Sequence, residues 1–166
     1  MAYTKTARSR KTDRSGGRGV ARYRPKPRAE VARNMSAIRS VGNAVEGDLG
    51  RALHRLGFRY RKYVTDLPGR PDIVFVRQRV AVFVDGDYWH ARLLREQGLA
   101  ALKRYFTPSQ RSYWVPKFVR RVERDAEVNQ ALRSRGWKVV RLWESDVKQN
   151  LNRASRKVAS ILSLRA

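Results

Sequence analysis

Four side chains able to do acid–base or metal chemistry lie around two apolar segments in the middle of the chain: Asp72, Asp85, Asp87 and His90. The apolar segments, Ile73–Val76 and Val80–Val84, are rich in Val, Ile and Phe, which predicts two adjacent β-strands joined by a tight turn. Their nearly unbroken apolarity indicates burial on both faces. A buried sheet that brings carboxylates and a histidine to one edge is suited to metal-assisted hydrolysis.

Asp72 and His90 are the strongest candidates, and each has an ordinary alternative. A carboxylate at the start of a buried strand is costly unless it has a partner, and a divalent cation is one such partner. An Asp that caps the turn after Pro71 is equally well supported by the residues alone. Imidazole titrates near neutrality, which suits a general base, although a single histidine is more often a surface or core residue.

The other acidic candidates are less distinctive. Asp85 and Asp87 are either metal ligands or polar turn residues, and Asp125, in the sequence ERDAE, could equally be a solvated residue among arginines. Glu46 has an alternative role as the glutamate of a helix-capping box. The spacing of Asp72 and Asp85 loosely fits the PD-(D/E)xK nuclease pattern, but no Lys follows, and that pattern is permissive.

Eight predicted elements must position these residues. In chain order they are helices at 30–40 and 43–56, strands at 58–64, 73–76 and 80–84, a helix at 112–135, a strand at 137–143 and a final helix capped by Ser145. The segment 91–110 is predicted to be a long connection with one or two short helical turns. This order indicates an α/β fold with a mixed sheet.

The charge of the chain indicates a polyanionic partner. It has 38 Lys and Arg against 14 Asp and Glu, a net charge of +24 over 166 residues. Such an excess suits DNA, because each neutralised phosphate releases counterions. A membrane surface is the rival partner, but no apolar run is long enough to span a bilayer and no signal-peptide core is present.

Residues 1–28 differ in composition from the rest of the chain. They hold ten basic residues and one acidic residue, a net charge of +9, with little apolar periodicity. We interpret this segment as a disordered basic arm that contacts DNA, followed by one domain at residues 29–166.

The chain has no cysteine, which excludes disulfides, cysteine-bound zinc and thiol catalysis. The expected location is cytoplasmic, in association with the nucleoid.

Several sequence islands occur in an order typical of one enzyme family. They are RNMSAI, Glu46 in the next helix, LPGRPDIVF, VAVFVDGDYWH, YW followed by VERD, and GWKVVRLWES. Together, over roughly residues 30–146, they resemble the very-short-patch-repair (Vsr) DNA mismatch endonucleases. The resemblance implies a three-layer α/β/α fold with a central mixed sheet and a restriction-endonuclease-like core of the PD-(D/E)xK type.

The resemblance also implies catalytic roles. Asp72 matches the Mg²⁺-binding aspartate, and the backbone carbonyl of Val84 would be a second ligand, although the family usually has Thr there. His90 matches the general base that activates water, and Asp125 matches the carboxylate that supports it. Glu46 matches the acidic residue that completes the metal–water network.

A further set of residues is implied to contact DNA. Tyr88, Trp89 and Trp114 match an aromatic wedge that enters the DNA beside the mismatch. The family's N-terminal helix, which meets DNA from the other groove, corresponds to Asn34, Met35 and Ile38. We also expect Arg70 and Lys117 to bind DNA.

One departure from the family pattern concerns zinc. Typical members hold a structural zinc through cysteines and a histidine, but here Asp87 and Ser145 stand at two of those positions, and Ala91 and Arg92 follow His90. We therefore expect no zinc, and we expect the 91–110 connection to be held by packing.

The predicted function is a Mg²⁺-dependent endonuclease that nicks one strand of double-stranded DNA at or beside a T:G mismatch, acting as a monomer. For such an activity we expect a functional link to a cytosine methyltransferase or to repair proteins. Two alternatives stay open: a homing-type or restriction-associated nuclease of the same fold, and a basic DNA-binding protein without activity. The Glu, Asp, His, Asp set is shared with homing nucleases and argues against the inactive alternative.

Overall fold

A computed structural model describes residues 44–62 and 64–165. Its elements are α1 (residues 44–55 of the described part), β1 (Ile73–Phe75), β2 (Val80–Asp85), α2 (Arg92–Tyr105), α3 (Pro108–Ser134), β3 (Lys138–Trp143), α4 (Glu144–Gln149) and α5 (Leu151–Ser163). The α/β class and the mixed sheet are confirmed.

The register of the sheet brings three chain segments to one edge. The strand order is β1-β2-β3, with β1 antiparallel and β3 parallel to β2. Ile73 at the start of β1 pairs with Val82, and Asp85 at the end of β2 pairs with Trp143 at the end of β3. The residues that precede β1 and those that follow β2 and β3 therefore lie together.

Alternate residues of β2 pack on opposite faces of the sheet, as the period of two in a strand requires. Val80 and Val82 join the main core, which α1 and α5 complete. Ala81 and Phe83 point the other way and pack with Leu132 of α3 in a second cluster. Both faces of β2 are thus covered by helices, which explains its nearly unbroken apolar sequence.

The structure corrects two predicted elements. The predicted strand at 58–64 makes only an isolated bridge, from Arg61 to Val74, so it is no regular strand in the described residues. The segment 91–110 holds more helix than predicted, because α2 runs through most of it. The helix breaks at Gly98, which has a φ of 79°, a conformation that glycine adopts at little cost.

The C-terminal helix is also different from the prediction. Ser145 does not cap it, because α4 begins one residue earlier, directly after β3. A separate helix, α5, follows, and the Asn150 side chain caps it by accepting a hydrogen bond from the Arg153 N–H at 2.9 Å. The predicted single helix is therefore two helices, with the break at an Asn that favours a cap over a helix interior.

The basic arm at 1–28, the helix at 30–40 and the capping position at Asn43 lie outside the described residues. In the part that the structure describes, no helix is both long and apolar enough to cross a membrane.

Candidate active site

Two carboxylates, Glu46 and Asp72, form an acidic pair at the edge of the sheet. Asp72 precedes β1, and its Oδ2 accepts a hydrogen bond of 2.7 Å from the Val84 N–H in β2. Glu46 comes from α1 and lies within hydrogen-bonding reach of Asp72. Burial, together with the Asp72 charge, raises the pKa of Glu46 to about 7. Burial and the nearby Asp85 charge also raise the pKa of Asp72, against the Val84 hydrogen bond.

This pair fits a Mg²⁺ ion. Raised pKa values mean that two negative charges at this position need a proton or another cation between them. Mg²⁺ is usually held by one or two carboxylates plus waters and substrate phosphates, not by a complete protein cage. Among the described residues there is no group of three or more His, Asp and Glu side chains placed to hold a metal. A small carboxylate pair suits Mg²⁺ better than a metal that needs several protein ligands.

His90 lies beside the same edge, with its Nδ1 between two buried carboxylates. Nδ1 is 2.9 Å from Asp125 Oδ2 on α3 and 3.2 Å from Asp85 Oδ1 at the end of β2. Burial would raise the pKa of Asp125, but the His90 hydrogen bond and nearby arginines hold it below its usual value. Asp125 is therefore an anionic acceptor, which places the proton of a neutral imidazole on Nδ1 and leaves Nε2 as the basic atom.

Two arginines balance the charge of these carboxylates. Arg95 Nη2 donates to Asp125 Oδ2 at 2.6 Å, and Arg95 Nε donates to the His90 carbonyl at 2.9 Å. Arg141 Nη1 lies 2.8 Å from both oxygens of Asp85, and its Nη2 is 3.4 Å from Asp125 Oδ1. Asp85 is thus an ion-pair partner of Arg141, a role that was not predicted from the sequence.

Sequence reasoning missed these two arginines. A chain with 38 basic residues gives no reason to select Arg95, and its partner is 30 residues away. Arg141 did carry a signal, because it is a charge inside the apolar segment WKVVRLW, and a charge in a half-buried strand needs a partner. Its Cζ also lies 4.4 Å from the centroid of the Phe83 ring.

The predicted aromatic wedge residues lie in one cluster but differ in exposure. Trp89 is 38% exposed, and its ring meets Tyr88 edge-on at 5.0 Å. Tyr88 and Trp114 are half-buried and both pack against the buried Phe118. Lys117 Nζ lies 5.6 Å from the Trp114 ring centroid. Trp89 is therefore the wedge candidate whose side chain can reach DNA without rearrangement of the core.

Asp87 is part of an arginine-centred network. The Asp87 carboxylate accepts from the Ser145 Oγ at 2.5 Å and from the Ser145 N–H at 3.1 Å. Arg92 Nη1 contacts Asp87 at 2.7 Å, Ser145 Oγ at 2.7 Å and Asp146 at 2.9 Å, while Arg92 Nε donates to Glu96 at 2.8 Å. A guanidinium thus joins the segment after β2, the start of α2 and the start of α4.

A basic cavity of about 480 Å³ opens beside the histidine. It is lined by His90, Asp125 and four arginines: Arg70, Arg121, Arg124 and Arg141. Arg70 has a φ of 51°, a strained conformation for a residue with a side chain. Its predicted DNA contact is compatible with this position. The other predicted DNA-binding residues, Asn34, Met35 and Ile38, lie outside the described residues.

Comparison with known proteins finds the same family that the sequence islands resemble. The family model described as DNA mismatch endonuclease Vsr matches residues 22–96. The type II nicking enzyme V.NaeI of Lentzea aerocolonigenes is 40% identical over 147 residues, which cover 86% of this chain and 84% of the relative. The type II nicking enzyme V.NmeDIP of Neisseria meningitidis serogroup C is 39% identical, with 75% and 80% covered. The DNA mismatch endonuclease Vsr of Escherichia coli K12 is 31% identical, with 70% of each chain covered.

Proposed function

The chain belongs to the Vsr family of DNA mismatch endonucleases, and from this premise we propose that it uses Mg²⁺ to nick one strand of DNA at or beside a T:G mismatch. The observation that supports the proposal is that a candidate metal site and a candidate general base lie next to each other. The Glu46–Asp72 pair and the His90–Asp125 pair meet at the end of β2, with Asp72 held by Val84 and His90 beside Asp85. Phosphodiester hydrolysis needs both a cation site and a base within one such space.

In the proposed mechanism, His90 Nε2 takes a proton from water as the water oxygen bonds to phosphorus and the P–O ester bond to one sugar oxygen breaks. The departing sugar oxygen takes up a proton from solvent water and leaves as a hydroxyl group. Asp125 holds the imidazole by Nδ1 and stabilises the imidazolium that forms, which is the orienting role of the carboxylate in a catalytic triad. Asp72 and Glu46, with the Val84 carbonyl, would hold the Mg²⁺. The ion supplies Lewis acidity and neutralises phosphoryl charge when bound.

The proposed preference for a mismatch rests on Trp89. The exposed Trp89 ring, next to the proposed general base His90, is able to insert between two stacked nucleobases. Separating these two nucleobases costs a few kcal/mol. A mispaired base lowers this cost, so the same wedge enters a mismatch more readily than paired DNA. The nicking activity in the names of two relatives supports cleavage of one strand.

We also propose that the sheet is the centre of a three-layer α/β/α core of the restriction-endonuclease type. The support is that α1 and α5 pack on one face of β2 and α3 packs on the other. Expectations of a monomer, of action on the nucleoid in the cytoplasm and of a link to a cytosine methyltransferase or repair proteins stay predictions.

A nicking assay tests the proposal. Purified protein is incubated with duplexes that differ only in one T:G or C:G pair, with Mg²⁺ or with a chelator. We expect a single-strand nick on the T:G duplex with Mg²⁺ alone, and no nick from the Asp72→Asn variant, which still binds DNA. Equal nicking of both duplexes would favour the homing-type or restriction-associated alternative. No nicking under any condition would favour the inactive DNA-binding alternative.

Trp89→Ala tests the wedge. We expect its nicking of T:G DNA to fall by a factor equivalent to about 1–3 kcal/mol of lost stacking, with little change in binding to paired DNA. Leu99→Ala is the control, because Leu99 is an exposed apolar residue on helix α2 that is not among the predicted DNA contacts. Early melting of the Trp89→Ala protein, or an equal loss in both variants, would contradict the wedge.

A further inference from the structure

The basic atom of His90 is not open in the structure. Arg121 Nη2 lies 3.1 Å from His90 Nε2, on the side of the ring opposite the Asp125 contact. A guanidinium is a donor and carries no acceptor, and Nδ1 is the nitrogen that carries the proton toward Asp125. Arg121 therefore donates to the Nε2 lone pair, and this is the lone pair that a general base needs.

Arg121 is able to leave this position because it is exposed at the wall of the basic cavity. It precedes Asp125 by one helical turn on α3, and it shares the cavity with Arg70 and Arg124. Both of these arginines are exposed as well, so the cavity presents several cationic donors to solvent. Like-charged guanidinium groups around one space favour a polyanion within it.

A phosphate is a better partner for Arg121 than His90 is. Arginine binds phosphate with two parallel, charge-assisted hydrogen bonds, whereas neutral imidazole offers one acceptor and no charge. A DNA phosphate that enters the cavity would therefore attract the guanidinium away from Nε2. The lone pair would then become free when a phosphodiester lies beside it.

We propose that Arg121 is a positioning residue that covers the His90 base in the free protein and uncovers it by moving to a phosphate of the bound DNA. The proposal rests on the proposed function of His90 as a general base. It adds a substrate-dependent step, in which DNA binding and exposure of the base are coupled through one side chain.

The first test measures how accessible Nε2 is in the free protein. Diethyl pyrocarbonate acylates an imidazole nitrogen that has a free lone pair, and mass spectrometry of peptides gives the rate at each histidine. We expect Arg121→Ala to raise the rate of acylation at His90 about tenfold, because the hydrogen bond from the charged guanidinium no longer occupies the Nε2 lone pair. Arg124→Ala, on the same helix and in the same cavity, should leave the rate unchanged. His54, which contacts Arg59, is the internal control in all variants.

The second test asks whether Arg121 moves to a phosphate. Binding of a T:G duplex without Mg²⁺ is measured over a range of salt concentrations. We expect Arg121→Ala to lower the slope of log K against log salt by about one, and Arg121→Lys to retain it. An unchanged labelling rate at His90, or an unchanged salt slope for Arg121→Ala, would overturn the proposal. A wild-type protein that does not nick DNA would overturn the proposed function. The labelling rate at His90 is measured without DNA or activity, so it tests the Arg121 contact independently of the proposed function.

Discussion

His90 sits in a balanced set of charges. Two carboxylates, Asp85 and Asp125, face the same ring nitrogen, and two guanidinium groups, from Arg141 and Arg95, neutralise them. Each carboxylate is therefore shared between the imidazole and a guanidinium, and neither depends on the ring alone for its charge balance. The two arginines therefore matter to the chemistry as well as to the stability of the site.

Substitution of the base should affect rate more than binding. We expect His90→Ala to fold and to bind DNA, and to lose a factor of about 10²–10⁴ in single-turnover nicking at saturating Mg²⁺, the usual contribution of a general base. Asp125→Asn should have a smaller effect, because it removes the charge that stabilises the imidazolium but keeps a side chain of the same shape. Nicking by His90→Ala at the wild-type rate would remove His90 as the base.

Glu46 should make stability depend on pH. Its folded-state pKa is about 7, above its ordinary value of 4.5, so the folded protein binds this proton more tightly than the unfolded chain does. Its contribution to stability is fully present below pH 4.5 and is lost as the pH rises through 7. Glu46→Gln should therefore raise the free energy of unfolding at pH 8 by about 1–2 kcal/mol, after allowance for solvent screening, and by much less at pH 5.

Urea unfolding at the two pH values, without metal, measures this difference. Asp48→Asn is the matched control, because Asp48 is an exposed carboxylate two residues away on α1, and we expect it to show no gain confined to pH 8. A loss of stability in Glu46→Gln at both pH values would mean that the carboxylate has an ordinary structural role. Under the proposed function, the same proton competes with Mg²⁺, so the affinity for Mg²⁺ should rise with pH up to about 7.

The site residues could be predicted only where the residue type is rare. His90 is one of two histidines, and Asp72 and Asp125 are among 14 acidic residues, so a resemblance could assign them roles that the geometry makes possible. Arg95 and Arg121 are among 38 basic residues, and their partners are 30 and 31 positions away. No local pattern encodes such a pairing, because it depends on how α2 and α3 pack.

At the scale of elements, the strands were predictable and the connections were not. The segments that form β1, β2 and β3 are short, apolar and β-branched, so local propensity and tertiary burial agree. Residues 58–64 alternate aromatic and basic residues, which also predicts a strand, but in the described part of this segment only Arg61 bridges to β1. Such a segment becomes a regular strand only if a neighbouring strand offers backbone groups for hydrogen bonding along its length. The sequence of the segment does not encode whether such a neighbour is present.

Arg92 should act as a clamp among α2, α4 and the segment after β2. We expect Arg92→Met to lower the free energy of unfolding by about 1–2 kcal/mol, above the value of a single exposed ion pair, because Asp87, Ser145 and Asp146 lose a shared donor. Thermal melting measures this. Arg104→Ala, which changes an exposed arginine on the same helix, is the control and should melt like the wild type. A wild-type melting temperature for Arg92→Met would show that packing alone holds the three elements.

The same network includes two positions at which we expect no zinc ligand, because the chain has no cysteine. A guanidinium between Asp87 and Ser145 supplies the positive charge at positions where the family resemblance implies metal ligands. We expect a zinc chelator to leave the melting temperature unchanged and elemental analysis to find no stoichiometric zinc. One tightly held zinc per chain would contradict this.

At the scale of the whole molecule, positive charge is distributed unevenly. Residues 1–28 hold ten of the 38 basic residues and only one of the 14 acidic ones. The other predicted DNA-binding residues lie at 34–38 and 70–117, and the arm is expected to bind phosphates and to read no sequence. Affinity and choice of the nicking site should therefore be separable.

Deletion of residues 1–28 should weaken DNA binding and reduce its salt dependence while the nick stays at the same position. Each phosphate contact that is lost lowers the slope of log K against log salt by about 0.9, and up to ten basic residues are removed. Filter binding over a range of salt concentrations gives the slope, and a sequencing gel gives the position of the nick. A variant with the same 28 residues in shuffled order is the control. Because phosphate binding depends on charge and not on order, it should match the wild type in both measurements. An unchanged slope after deletion would show that the arm does not contact DNA, and a shifted nick would show that it helps to choose the site.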